Sequence, residues 1–142
     1  MDLPLIWIGA PNGRAWTERP LRLAFETRCI FRATVQAALD GAEIPWEMAV
    51  ESESTRTVEA SVSADLAVHA CLEGVSPAYM APVEHGGDLP ELGSMKINMY
   101  RAENGGTGPH AHPISHLCDM LETGFRTSLG HDHDLPRRST AA

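Results

Sequence analysis

Pro20-Leu-Arg-Leu-Ala-Phe25, Arg28-Cys-Ile-Phe-Arg-Ala-Thr-Val-Gln-Ala-Ala-Leu-Asp-Gly41, Pro45-Trp-Glu-Met-Ala-Val-Glu51, Ser54-Thr-Arg-Thr-Val-Glu-Ala-Ser-Val-Ser-Ala64 and Leu66-Ala-Val-His-Ala-Cys-Leu72 follow one another in a single stretch. Its periodicity switches from short apolar runs to helical spacing and back, which predicts strand, helix, strand, helix, strand. Ile30, Phe31, Val35, Ala38 and Leu39 recur at helical intervals, and Gly41 is a natural stop for that helix. Pro45–Glu51 alternates large apolar with charged or small residues, as a strand does, and Ser54 is the expected N-cap of the second helix. Strands joined by crossover helices of this length run parallel, because an antiparallel pair needs only a tight turn. In an open parallel sheet, ligands lie beyond the carboxyl ends of the strands, where helix N-termini offer unpaired N–H groups. Here those ends are residues 25–29, 52–55 and 71–75.

Working outward, Leu5-Ile-Trp-Ile8 reads as a strand entering the Gly9-Ala-Pro-Asn-Gly13 turn. A strand placed before the parallel unit has no local partner. Ser94-Met-Lys-Ile-Asn-Met-Tyr-Arg101, which alternates Met95, Ile97 and Met99 against Lys96, Asn98 and Tyr100, is the segment expected to return to it. Between lies a stretch punctuated by Gly74, Pro77, Pro82, Gly86, Gly87, Pro90 and Gly93, expected to be a covering loop with one short strand near Ala81 to Glu84. Two connections thus cross between sub-structures, which is the mark of a hinge. His112–Phe125 reads as a terminal amphipathic helix with Ile114, Leu117, Cys118, Leu121 and Phe125 on one face, and the tail from Leu129 as disordered. The organisation expected is 1–19 hinge strand and ingoing loop, 20–93 α/β subdomain, 94–128 return strand and terminal helix, and 129–142 tail.

Composition narrows the function. The 142 residues suit one domain, and a formal charge of −8 opposes nucleic-acid binding by this segment alone. Cys29, Cys71 and Cys118 are an odd number at wide spacing with no C-x-x-C pair, which fits reduced thiols in a cytoplasmic protein. No apolar run reaches the ~20 residues that span a bilayer, and the opening octet lacks a basic flank, so neither a membrane contact nor a signal peptide is expected.

The marks in order along the chain resemble the later part of the effector-binding domain of LysR-type transcriptional regulators. They are Pro4-Leu-Ile-Trp-Ile-Gly-Ala-Pro11, Pro20–Phe25 with Arg28-Cys-Ile-Phe-Arg32, Ala38-Leu-Asp-Gly-Ala-Glu-Ile-Pro-Trp46, Glu51-Ser-Glu-Ser54, Asp65-Leu-Ala-Val-His69 and Ile97-Asn-Met-Tyr100. The resemblance implies an α/β, periplasmic-binding-protein-like (type II), Rossmann-like subdomain with a parallel sheet, two hinge strands and a C-terminal helix. It also implies a small-molecule effector in a cleft, no catalysis, no cofactor, and DNA contact only through a helix-turn-helix that this chain lacks. On that reading the chain is a fragment, with the second subdomain complete and the first reduced to its last strand and helix. Uncovered strands and the face of Leu117, Leu121 and Phe125 then predict self-association, as a dimer or by strand exchange. Family members usually carry Gly-x-Gly where this chain has Asp65-Leu-Ala67, and a Pro where it has Leu72-Glu-Gly74. Asp65 therefore implies a different cap on the preceding helix.

Effector-binding candidates are Thr27, Arg28 and Cys29 at the start of the first helix, where a hydroxyl, a guanidinium and free N–H groups suit a carboxylate. Ser52, Ser54 and Thr55 repeat the arrangement at the second helix, and Cys71 stands at the cleft end of the third strand. Plain structural roles compete with each: Thr27 and Ser54 as caps, Arg28 as a solvated charge, Cys71 as a small core residue. His69, inside an apolar strand, fits a histidine satisfied by a backbone carbonyl. The set His110, His112 and His116 has metal-like spacing but no fixed carboxylate or thiol partner, and His131-Asp-His-Asp134 lies in the tail, so no metal is expected at either. Glu84-His-Gly-Gly87 lacks a nucleophile; neither a G-x-S-x-G elbow nor a P-loop occurs. The alternative to a sensor is a small α/β enzyme pairing Cys29 or Cys71 with His69 or His85. A thiol of depressed pKa beside an imidazole would favour it.

Overall fold

The computed structural model describes residues 2–100 and 111–129. The chain divides into two compact units, 1–97 and 98–142.

In the first unit β1 (Asp2–Gly9), β2 (Leu21–Glu26), α1 (Arg32–Gly41), β3 (Trp46–Ser52), α2 (Thr55–Ser63) and β4 (His69–Leu72) follow in order, with short strands β5 (Ala81–Pro82) and β6 (Ser94–Lys96) behind them. The strand–helix relay is present, but its parallel ladder is confined to β2 and β3, and β4 belongs to the antiparallel sheet of β1. β2 pairs in parallel with β3, and a parallel bridge between Leu23 and Val68 brings the approach to β4 against the other side of β2. Ala24 N–H donates to the Val68 carbonyl and Val68 N–H to that of Arg22, each at 2.9 Å.

Both faces of this sheet are covered, as a parallel sheet requires. Leu21, Leu23 and Phe25 pack with Val35 and Leu39 of α1, whereas Ala24 packs with Val58 and Val62 of α2. A bulge helps β3 serve both sides. Leu23 pairs with Met48 but Ala24 with Val50, so Ala49 is skipped. Met48 joins the α1 side and Val50 the α2 side, the re-aiming that an extra residue permits.

β1 lies antiparallel to three partners. Its second half, Leu5–Ile8, pairs with β4, its first, Asp2–Pro4, with β6, and Ile8 with Pro82 of β5. The expected return strand is therefore beside β1, but shorter than its alternation suggested. It ends at Lys96, and Ile97–Tyr100 carry no regular structure, leaving Tyr100 88% exposed. Trp7 anchors the covering loop by donating its indole N–H to the Pro90 carbonyl at 2.8 Å.

Two local expectations are corrected. α1 begins at Arg32, four residues later than the apolar spacing implied, because Arg28–Phe31 form turns; Cys29 N–H donates to the Glu26 carbonyl and Ile30 is 76% exposed. Gly41 is the last residue of α1 rather than its stop. The left-handed position falls on Glu43, φ 55°, whose N–H bonds to the Asp40 carbonyl while Ile44 N–H reaches Leu39, the Schellman pattern without its usual glycine. α2 ends the same way on Asp65, φ 57°. The Asp65 side chain also reaches across to the ingoing loop. Its carboxylate accepts Arg14 N–H at 2.8 Å and Ala15 N–H at 3.0 Å, capping the short 3-10 turn Ala15–Thr17. Gly13 makes room for it, since a Cβ at that position would collide with the Asp65 carboxylate and stand 2.9 Å from the Ala10 carbonyl.

In the second unit, α3 (Ala111–Leu129) is longer than expected and carries an Arg126–Glu122 ion pair at 2.6 Å. Ile114, Leu117, Leu121 and Phe125 are exposed along it. His110 and the tail with His131 and His133 lie outside the described residues, as does the side chain of His112. No helix among the described residues is long and apolar enough to cross a membrane.

Candidate functional site

Two hollows lie at the carboxyl ends of the strands, one beside β2 and β4 and the other beside β2 and β3. The first, about 180 Å³, is lined by Thr55, Glu59, Val58 and Val62 of α2, by Glu26, and by His69 and Cys71 of β4. The strand period of two places His69 and Cys71 on one face, and the helical spacing of four does the same for Thr55 and Glu59. The second hollow, about 300 Å³, is formed by Glu26, Thr27, Arg28 and Glu53. Glu26, the last residue of the central strand, borders both.

Four of the seven expected residues line these hollows, and Cys29, Ser52 and Ser54 line neither. Thr55 and Cys71 meet in the first hollow and Thr27 and Arg28 in the second. The Ser52 hydroxyl accepts the Ser54 N–H at 3.1 Å, and Ser54, although it has the extended backbone of an N-cap, makes no side-chain capping bond. Thr27 does not cap α1, which starts further on. Its N–H donates instead to the Ser52 carbonyl at 3.0 Å, tying the ends of β2 and β3 together.

His69 behaves as expected of a histidine satisfied by backbone. Its Nδ1 lies 2.7 Å from the Ala24 carbonyl, which can only accept, so Nδ1 carries the proton and Nε2 keeps its lone pair. Burial lowers its pKa below the usual imidazole value, opposed by the Ala24 bond and by the charges of Glu26 and Glu59; at neutral pH the ring is uncharged. Its face tilts against Phe25, with ring centroids 4.5 Å apart. Glu59 is held by the Tyr79 hydroxyl, which donates to it at 2.6 Å and is itself raised in pKa by that bond.

Cys29, Glu26 and His69 come together, with one ligand-capable atom from each within 4.8 Å of the other two. A Cys/His enzyme needs thiol and imidazole within hydrogen-bond reach of about 2.6–3.2 Å, tighter than this bound, and the thiol is in the wrong state. Burial raises the Cys29 pKa, helped by Glu26 and opposed by backbone N–H groups and Arg32. Burial also pushes the Cys71 thiol up to about 11. His85 is occupied elsewhere: its Nδ1 accepts the N–H groups of Gly87 and Leu89 at 3.3 Å. All three cysteines are free.

Glu26, Glu59 and Glu53 carry neither the hydroxyl nor the cation that marks an anion site at a helix start, so that pattern does not point to them. A charged residue closing the otherwise apolar Leu21–Phe25 run was the available sign of Glu26. Glu59 was marked only by standing one turn beyond Thr55.

No family model matches the chain, and no curated protein matches it in sequence. Among solved structures it is similar to the effector binding domain of QuiR in complex with shikimate, with a TM-score of 0.44 and 10% identity over 87% of this chain. The chain spans 63% of that domain's length.

Proposed function

We propose that the chain is a ligand-sensing module of the LysR effector-binding kind, taking a small molecule at the carboxyl ends of β2 and β4. One observation carries the reading: β1 changes partners along its length. From Leu5 onward it belongs to the α/β sheet through β4, while Asp2–Pro4 pair with the departing strand β6. The chain thus enters and leaves the α/β unit as an antiparallel pair, the connection a two-lobed hinge needs. On this reading 1–19 is the hinge strand and ingoing loop, 20–93 the effector-binding second subdomain, and 94–128 the return hinge strand and the terminal helix left of the first. A bound molecule favours one hinge angle and passes that bias to DNA-binding helices carried elsewhere.

The walls qualify the ligand. An anion was expected from helix N-termini, yet Glu26 and Glu59 line the smaller hollow and Glu26 and Glu53 flank Arg28 in the larger. Carboxylates, a neutral imidazole and a threonine hydroxyl suit a ligand rich in hydroxyl or amino donors better than a bare carboxylate. Catalysis by a Cys/His pair is disfavoured because both thiols near the cleft are held protonated.

A thermal-shift screen with small polyols, amines and carboxylates tests this. At least one polyol or amine is expected to raise Tm, and Glu59→Gln or Thr55→Val to abolish the rise. A screen in which no compound shifts the melting curve, or every shift survives both changes, would defeat it. Self-association through the strand pair or the α3 face belongs to the same reading, and a monomer in sedimentation at high concentration would remove that part.

A further inference from the structure

The histidine spacings that look metal-like in the sequence lie near its C-terminus. The folded chain assembles a different set, discontinuous in sequence. Glu26 ends β2, and the turn closed by the Cys29 N–H to Glu26 carbonyl bond, 3.1 Å, folds Cys29 back over it. His69 begins β4 beside them. Among the described residues no other trio of acid, thiol and imidazole groups comes as close.

We propose that Glu26, Cys29 and His69 form a three-ligand site for a borderline divalent transition metal, with zinc as its representative.

Four observations support this, and none depends on the sensor reading. One ligand atom from each residue, a ring nitrogen in the case of His69, lies within 4.8 Å of the other two. Ligands at zinc distances of 2.0–2.3 Å in a tetrahedron stand roughly 3.3–3.7 Å apart, so small side-chain rotations close the set. His69 is already oriented, since Nδ1–H donates to the Ala24 carbonyl at 2.7 Å. That outer bond fixes the tautomer with Nε2 as the free donor, the support metal-bound histidines use. The donor set of one sulfur, one nitrogen and one oxygen excludes calcium and magnesium, which want oxygen alone, and suits zinc, cobalt or nickel. Finally, all three residues are half-buried, which leaves an approach from solvent. On binding, the Cys29 S–H bond breaks, its proton passes to solvent and the sulfur lone pair binds the metal. Three protein ligands leave a position for water. Glu26 and His69 also line the smaller hollow, so the ion sits in its wall.

Cobalt(II) titration of the full chain, with His131→Ala and His133→Ala to silence the tail, tests the site. One equivalent is expected to give a near-ultraviolet thiolate-to-cobalt band with tetrahedral visible bands, displaced by zinc. Cys29→Ser should abolish the thiolate band and Cys71→Ser should leave it. Absence of the band, its survival in Cys29→Ser, or its loss in Cys71→Ser overturns the proposal. Circular dichroism of the metal-free variants confirms that each is folded. Glu26→Gln, at a strand end outside the core, gives a second handle: zinc affinity should fall by at least about tenfold, the loss that even an outer partner of a metal ligand causes, while the thiolate band remains. Unchanged affinity in Glu26→Gln also overturns it.

Discussion

The two ends of the α/β unit both carry acidic side chains, and they use them differently. At the amino end, both oxygens of Asp65 are engaged by the backbone of the ingoing loop, bonding Arg14 and Ala15 N–H. At the carboxyl end, His69 spends one ring nitrogen on Ala24 and keeps the other, and Glu26 and Cys29 stand beside it. A polar group whose valences are filled by backbone supports the fold. One that is positioned but only half satisfied is available for a ligand.

The largest contrast should appear in thiol chemistry. With its pKa pushed up to about 11 from 9.0, Cys71 holds roughly a hundredfold less thiolate at neutral pH than an unperturbed thiol. Iodoacetamide labelling followed by mass spectrometry should show a slow reaction that accelerates with pH well past 9.0; rapid labelling at neutral pH would revive the enzyme reading. The sign for stability follows. Folding favours the thiol, so this contribution is intact below 9.0 and is lost as pH rises toward 11.

Next comes the amino end. Asp65→Ala removes charge-assisted bonds and strands the N–H of Ala15, which is buried. It should cost about 2–3 kcal/mol in denaturant unfolding. Asp65→Gly should lose less, because glycine relieves the left-handed backbone even as the bonds go. Equal losses would mean that the helix end is unstrained.

His69 gives a smaller effect and a clear sign. Because burial lowers its folded pKa below 6.5, the unfolded chain binds the extra proton first on acidification. Its contribution is complete above 6.5 and declines as pH drops from there to the folded value. With a chelator present, the stability gap between the protein and His69→Gln should narrow from about pH 8 to about pH 5; a constant gap would contradict the buried, neutral ring.

Glu43→Gly is the mildest. Glu43 holds the same left-handed position as Asp65, but its side chain is exposed and makes no bond like the Asp65 cap. Glycine there should add about 0.5–1 kcal/mol of stability. A loss instead would show that the Glu43 side chain contributes to the fold.

These two helix ends also show what the sequence disclosed. Apolar periodicity located β2, β3, α1 and α2, and the length of the crossovers made the strands parallel. That pattern carries no information about backbone bonds that close turns. Ile30 and Phe31 continue the helical spacing yet sit in a turn, and Leu66 looks like strand but is 52% exposed beyond the Schellman end of α2. The site was half legible. Thr55 and Cys71 do meet at the carboxyl end, but Glu26, Cys29 and His69 meet only through β2–β4 adjacency, which local patterning does not encode. Asp65 did mark an unusual helix end, though its partners are fifty residues away in the ingoing loop.

That carboxylate acts as a rivet. The loop leaving β1 is fastened to one end of α2, and Thr55, at the opposite end of the same helix, roughly 13 Å away, forms part of the hollow. A rigid rod fixed at one tip to the loop after β1 cannot tilt without moving its other tip, so on the sensor reading a swing of β1 would reshape the place where a ligand would rest.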